Sequence, residues 1–179
     1  MILGLDISTS ITGYTLLNDD GEIEKIGHID LRKHKDFFDK ARVARDALVA
    51  IDKESKSWIK KIYIEQSLQS FRSGFSSAQT LSLLSRFNGV LSWICSDLFD
   101  TDPKYLAATS ARKAVGIKIP KGQKAKKVSL QFVVDNVPSF EVEYTRHGNP
   151  KAGYTDRSDS YVIAKAGWIR EREEAKDTD

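Results

Sequence analysis

Cysteine is almost absent from this chain. Its single thiol, Cys95, leaves no internal disulfide to form and no thiolate cluster for zinc. A reducing, cytoplasmic setting is the default for such a composition. Long apolar runs are missing too, with nothing near the ~20 residues that a membrane-spanning helix needs. The opening Met1-Ile2-Leu3-Gly4-Leu5-Asp6 has no basic lead-in and carries an acid within its apolar run, which is not the pattern of a signal peptide. Internal repeats, low-complexity tracts and linkers are lacking as well. What remains is 179 residues, 40% hydrophobic and 30% charged, an ordinary soluble balance. That is material for one domain, residues 1–179, with one substantial core.

A further absence is local. Between Pro103 and Val134 there is no Asp or Glu, while the same stretch holds Lys104, Arg112, Lys113, Lys118, Lys121, Lys124, Lys126 and Lys127. The net charge of the chain is only +3 and its C-terminal residues lean acidic, so the basic island belongs to that segment alone. Such an island predicts a polyanionic partner. Lysines on phosphates give salt-dependent affinity with little sequence information. Gly116, Pro120 and Gly122 let the segment follow a backbone. The alternative is a solvated surface loop, against which the missing acids weigh.

Hydrophobic patterning predicts the elements. Residues 2–5 read as a buried strand that delivers Asp6 at its end, and 12–17 and 22–31 as two further strands. Asp20-Gly21 predicts a type I′ hairpin between the latter pair. Phe37, Ala41, Ala44, Leu48 and Ile51 place a helix over 35–54. Residues 60–65 form a strand ending in Glu65, expected to run parallel to the first. The longest helix, 76–99, carries two apolar stripes, one through Leu81, Leu84, Leu91, Ile94 and Leu98, the other through Leu83, Val90 and Trp93. A helix apolar on two sides is central or shared with a partner subunit, and Gly89 within it predicts close packing. A short strand at 103–108, helices at 110–115, 124–136 and 156–172, and a loop at 138–154 complete the chain. Three strands, helix, strand, helix, strand and a helical end make a mixed-sheet α/β order, that of the RNase H-like fold, with five strands in the sheet.

The acids of this order converge. Asp6 and Glu65 end two strands expected to be neighbours, and Asp156 and Asp159 share a face at a helix start, with Thr155 as the N-cap. Each alone reads as an exposed acid or a solvated first turn; the ordered set of four does not. Gathered carboxylates repel one another without a cation, and hard oxygen donors suit Mg²⁺, with Mn²⁺ as a substitute. Two such ions about 4 Å apart activate a water and stabilise the leaving oxygen of a phosphodiester. His28, His34 and His147 show no nucleophile or metal-ligand spacing and read as surface residues. Cys95 reads as packed, and Trp58 and Trp168 as core or cover.

The stretch from Ile2 to Tyr14, with Gly4-Leu5-Asp6 and Thr12-Gly13-Tyr14, resembles the opening of the RuvC-type Holliday junction resolvases. Ile64-Glu65-Gln66, Phe87-Asn88-Gly89-Val90, Ala107-Ala108, Lys113-Ala114-Val115-Gly116 and Asp156-Arg157-Ser158-Asp159-Ser160 resemble later motifs of that family, over about residues 1–168. The resemblance implies a homodimeric endonuclease that nicks four-way DNA junctions in pairs, leaving 5′-phosphate and 3′-hydroxyl ends. Asp6, Glu65, Asp156 and Asp159 would be its catalytic, metal-holding acids, and the helix 76–99 would form much of the dimer interface. The segment from Ser67 to Ser76 is longer than in bacterial members and holds Phe71, Arg72 and Phe75, DNA-contacting candidates, with Phe71 or Phe75 as the junction wedge. Lys124, Lys126 and Lys127 compete for the basic position near the scissile phosphate. These departures mark a divergent member, bacterial or viral.

Three rival readings have their own discriminants. A sugar kinase or actin-like ATPase shares the Gly-x-Asp turn but needs a second such domain. A related nuclease for RNA–DNA hybrid or another branched DNA keeps the same acids and differs in substrate. A DNA-binding module without catalysis gains nothing from acids that repel phosphate.

Overall fold

In the computed structural model of the protein, residues 1–66 and 77–177 are described. Phe71, Arg72 and Phe75 lie outside them. The first strands form an antiparallel meander, β1 (Ile2–Asp6), β2 (Ile11–Leu17) and β3 (Ile23–Asp30). Helix α1 (Phe37–Lys53) leads to β4 (Lys61–Glu65), and α2 (Ala78–Phe99) to β5 (Lys104–Leu106). Then come α3 (Ala108–Ala114), α4 (Ala125–Asn136) and α5 (Tyr154–Lys176). The sheet has the order β3-β2-β1-β4-β5, with β4 parallel to β1 and β5 parallel to β4. This is the mixed five-stranded sheet expected from the element order.

Side chains alternate across the pleat, and each face has its own core. Leu3, Leu5, Ile62 and Ile64 face α1 and α2, where Ala44, Leu48, Phe87 and Leu91 close over them. Each such aliphatic side chain fully withdrawn from water contributes about 1.5–3 kcal/mol. Ile2 and Tyr63 face the other way, toward Leu130 and Val133 of α4 and Ile163 and Ala164 of α5. Asp6 and Glu65 share the parity of Ile2 and Tyr63, so the pleat directs them to the α5 face.

Helix α5 approaches that face very closely. A Cβ on Gly4 would stand 2.5 Å from Ala164 Cβ, and one on Gly13 only 2.0 Å from the backbone oxygen of Asp156. The hydroxyls of Thr15 and Ser160 are 2.8 Å apart in the same interface. Farther along, the Tyr63 hydroxyl donates to Glu171 at 2.6 Å, which Lys104 and Lys61 also reach.

Several local expectations are corrected. The β2–β3 connection is not a type I′ turn, which needs positive φ at both central residues. Of the two, only Gly21 has it, and the Asn18 side chain instead accepts from the N–H groups of Asp20 and Glu22. Helix α5 starts at Tyr154 with Gly153 as its N-cap, so Thr155 lies inside the first turn and caps nothing. Within 138–154, Tyr144 bridges Pro150 around a turn at Thr145–Gly148. Trp58 covers nothing: it is 86% exposed. Trp168 does cover Gly21, and its indole N–H donates to the Asp19 carbonyl.

Candidate active site

Leu5 lies opposite Ile64 in the parallel β1–β4 pair, so Asp6 and Glu65 end neighbouring strands on one face. The Asn88 amide, buried on α2, donates to the Glu65 carbonyl at 3.1 Å and ties that strand end to the helix. From above, the first turns of α5 bring Asp156, half-buried, and Asp159, only 3% exposed.

One ammonium lies within electrostatic reach of all four acids. Lys126, in the first turn of α4, has most of its stem in solvent but turns its Nζ to 3.5 Å from Asp159 Oδ2. Burial works against its charge, yet Asp6, Asp159, Asp156 and Glu65 together hold its pKa above the ordinary lysine value. The acids show the reciprocal strain. Burial, then the charges of Glu65 and Asp159, push Asp6 well above the usual carboxylate range. Burial and Asp159 raise Glu65 to about 7, against the pull of Arg112 and Lys126. Asp159 is raised by burial, although Lys126 and Arg112 oppose it. Arg112 is itself fixed by its Nε–H bond to the Ser129 hydroxyl at 3.1 Å.

The cluster is therefore a sink for positive charge. Its donors are all carboxylate oxygens, the type a hard divalent ion takes. Among the described residues no three His, Cys, Asp or Glu side chains are yet arranged to hold an ion. The Lys126 ammonium, at 3.5 Å from Asp159, supplies positive charge at the edge of the cluster.

No family model and no curated protein matches this sequence. Solved structures do match. The structure of Thermus thermophilus RuvC in complex with a Holliday junction substrate aligns with a TM-score of 0.68 at 10% identity, over 96% of this chain and 94% of that one. The chain has the RNase H-like fold of the RuvC resolvases. A further Thermus thermophilus RuvC structure gives 0.64 at 11% identity, over 97% and 96% of the two chains. The yeast mitochondrial Holliday junction resolvase Ydc2 gives 0.51 at 17%, over 98% of this chain and 80% of its own. At such identities the likeness carries the fold, and the chemistry has to be read from the residues.

On this RuvC-like framework the candidate DNA-binding residues divide. Lys126 sits against Asp159, Arg112 is bonded to Ser129 within electrostatic reach of Glu65 and Asp159, and Lys113, Lys118, Lys121, Lys124 and Lys127 stand in solvent along α3, the following loop and α4. His147 bonds with Arg146 in the 138–154 segment. His28, expected at the surface, is half-buried instead. It pairs across the sheet with Gly13, itself paired with Asp6, so His28, Gly13 and Asp6 form one row beneath the start of α5. Burial and Arg157 depress the His28 pKa. Asn88, Ser129, His28 and Arg157 are the site neighbours that sequence reasoning did not assign a role.

Proposed function

We propose that this protein is a Holliday junction resolvase, a metal-dependent endonuclease that cuts four-way DNA junctions by paired nicks from a homodimer. One observation carries the reading: Asp6 and Glu65 end neighbouring strands on the face that the first turns of α5 cover with Asp156 and Asp159, where Lys126 of the acid-free basic segment reaches Asp159, in this fold. Asp6, Glu65, Asp156 and Asp159 would hold Mg²⁺, or Mn²⁺ in its place, as two ions. The chemistry those ions supply when bound is a nucleophilic water and charge relief at the leaving oxygen. Of the three competing lysines, Lys126, which reaches Asp159, would be the one that meets the scissile phosphate. The exposed lysines bind flanking phosphates, and Asn88 holds the Glu65 strand end in place.

The assay is a labelled four-way junction in Mg²⁺, beside duplex, flap and RNA–DNA hybrid. Symmetric paired nicks on the junction, much weaker on the others, are expected. Preferred cutting of hybrid or flap would transfer the same acids to another substrate. Binding without cleavage in either Mg²⁺ or Mn²⁺ would leave only a DNA-binding module.

The dimer has its own test. Along α2, Trp93 is 67% exposed, Leu83 37%, and on the adjoining α1 Phe38 is 61% exposed. A Cβ on Gly89 would meet nothing within 4 Å among the described residues, and Gly89 lies in an open groove of about 440 Å³ with Phe37, Phe38, Arg86, Val90 and Trp93. An apolar patch of that kind marks an interface, and the resemblance assigns it to a second copy. Trp93→Glu is expected to turn a dimer into a monomer in analytical ultracentrifugation and to replace paired cuts with uncoupled single nicks. A wild-type protein that sediments as a monomer would remove the dimer from the proposal.

A further inference from the structure

Arg157 lies between Asp156 and Ser158 in α5, on the β3 side of the acids. Its Nε–H donates to His28 Nδ1 at 2.9 Å, and its guanidinium carbon stands 4.6 Å from the centre of the Tyr154 ring. His28 is held in turn by Gly153, where φ is +93° and a Cβ would come within 2.4 Å of the imidazole. An acceptor, a ring face and a glycine-lined slot thus fix one half-buried cation.

Among the described residues Arg157 makes no ion pair with a carboxylate. Two nearby acids have direct partners elsewhere: Glu143, on which the Arg157 charge acts only at longer range, takes Lys151 at 2.6 Å and the Tyr154 hydroxyl at 3.0 Å, and Asp30 takes the Nε–H and one terminal amino group of Arg32. His28 accepts through Nδ1 and so brings no charge of its own to the bond. With Nε used, the guanidinium keeps two terminal amino groups, the fork that suits a phosphate. The basic path also continues past it. Leu31 N–H bonds to the Ser10 carbonyl, which brings Lys33 and Lys35, both exposed, to the same end of the sheet as Asp6.

We propose that Arg157, held by His28 and Tyr154, is a seat for a DNA phosphate on the flank of the acids opposite the lysine-rich segment. This rests on the nuclease reading of the site. The bound strand then runs from the α4 lysines over the acids to Arg157 and on toward residues 33–35. Arg157 is a binding residue here, and His28 positions it.

The test is binding of a fluorescent four-way junction in EDTA, where nothing is cut, across a salt series. Arg157→Gln is expected to weaken binding about tenfold at moderate salt and to lower the slope of log affinity against log salt by about 1. Arg157→Lys keeps the charge but loses the fork, so it should weaken binding by a smaller factor at unchanged slope. His28→Leu should resemble it, because the charge stays but is no longer held. A wild-type slope in Arg157→Gln would overturn the seat and leave Arg157 as a helix-packing residue. Should Arg157→Gln not fold, wild-type affinity in both Arg157→Lys and His28→Leu would overturn it equally. If the wild-type protein binds no DNA at all, the nuclease reading falls and the seat falls with it.

Discussion

Asp6→Asn is expected to abolish strand cleavage and, at the same time, to raise the melting temperature of the metal-free protein. The substitution keeps the side-chain volume and removes one charge from the centre of the acid cluster. Loss of that donor should slow cutting at least about a thousandfold, on the order of 4 kcal/mol in the barrier. Binding of the junction in EDTA should hold or improve, because a buried charge that repels phosphate has gone. The stability gain follows from the same geometry. Burial comes first, then Glu65, Asp159 and Asp156, in disfavouring the ionised form of Asp6, and only Lys126 opposes them. A carboxyl whose folded pKa is raised contributes most below its unfolded pKa, and that contribution is lost as the pH climbs through the folded value. Glu65, raised from 4.5 to about 7, sets the window. The metal-free wild type should therefore lose stability from pH 4.5 to about 7, and Asp6→Asn should flatten that decline. A release of about 1–2 kcal/mol near neutral pH would be roughly 2–8 °C for a chain of this size. Calorimetry in EDTA at several pH values reads it. A variant that melts lower than wild type at neutral pH would mean that the acids do not form a repelling cluster. One that still cuts would remove Asp6 from the catalytic set.

The positions of the four acids in the fold were legible because their signals are local. An apolar strand that runs straight into Asp6 or Glu65 delivers the carboxylate at its end whatever surrounds it, and Asp156 and Asp159 share a helix face by spacing alone. Lys126 was not separable from Lys124 and Lys127, because choosing among them depends on where α4 docks, which periodicity does not contain. His28 is more instructive. A turn centred on Asp20-Gly21 pairs Gly13 with His28, in line with Asp6. The observed turn is longer, but the irregularity at Leu16/Leu17 shifts the register back, so the same pairing results. The position was therefore readable; the partner was not, since only packing shows Arg157 folding back onto β3. Trp58 failed for the opposite reason. Its chemistry argued for burial, whereas it lies on a loop that presents it to solvent.

Gly13→Ala should be the most damaging single-methyl change on the sheet. The added Cβ would stand 2.0 Å from the Asp156 oxygen, 2.4 Å from its carbonyl carbon and 3.1 Å from the Arg157 nitrogen. These are backbone atoms, so no rotamer change relieves the clash, and the start of α5 has to lift. Overpacking of this kind costs about 1–3 kcal/mol, or roughly 2–12 °C in melting temperature for a chain of this size. Gly4→Ala is the matched control, because its Cβ meets Ala164 at 2.5 Å, farther along the same helix and away from the acids. Both variants should melt low. Only Gly13→Ala moves Asp156 and Arg157 directly, and a misplacement of about 1 Å at reacting groups costs about a hundredfold in rate. Cleavage assayed well below both melting temperatures, with the folded fraction checked by circular dichroism, separates the two effects. A much larger rate loss in Gly13→Ala than in Gly4→Ala is the expected result. Equal losses would mean that the junction site tolerates movement of the helix start, and that the close approach of β2 to α5 serves stability alone.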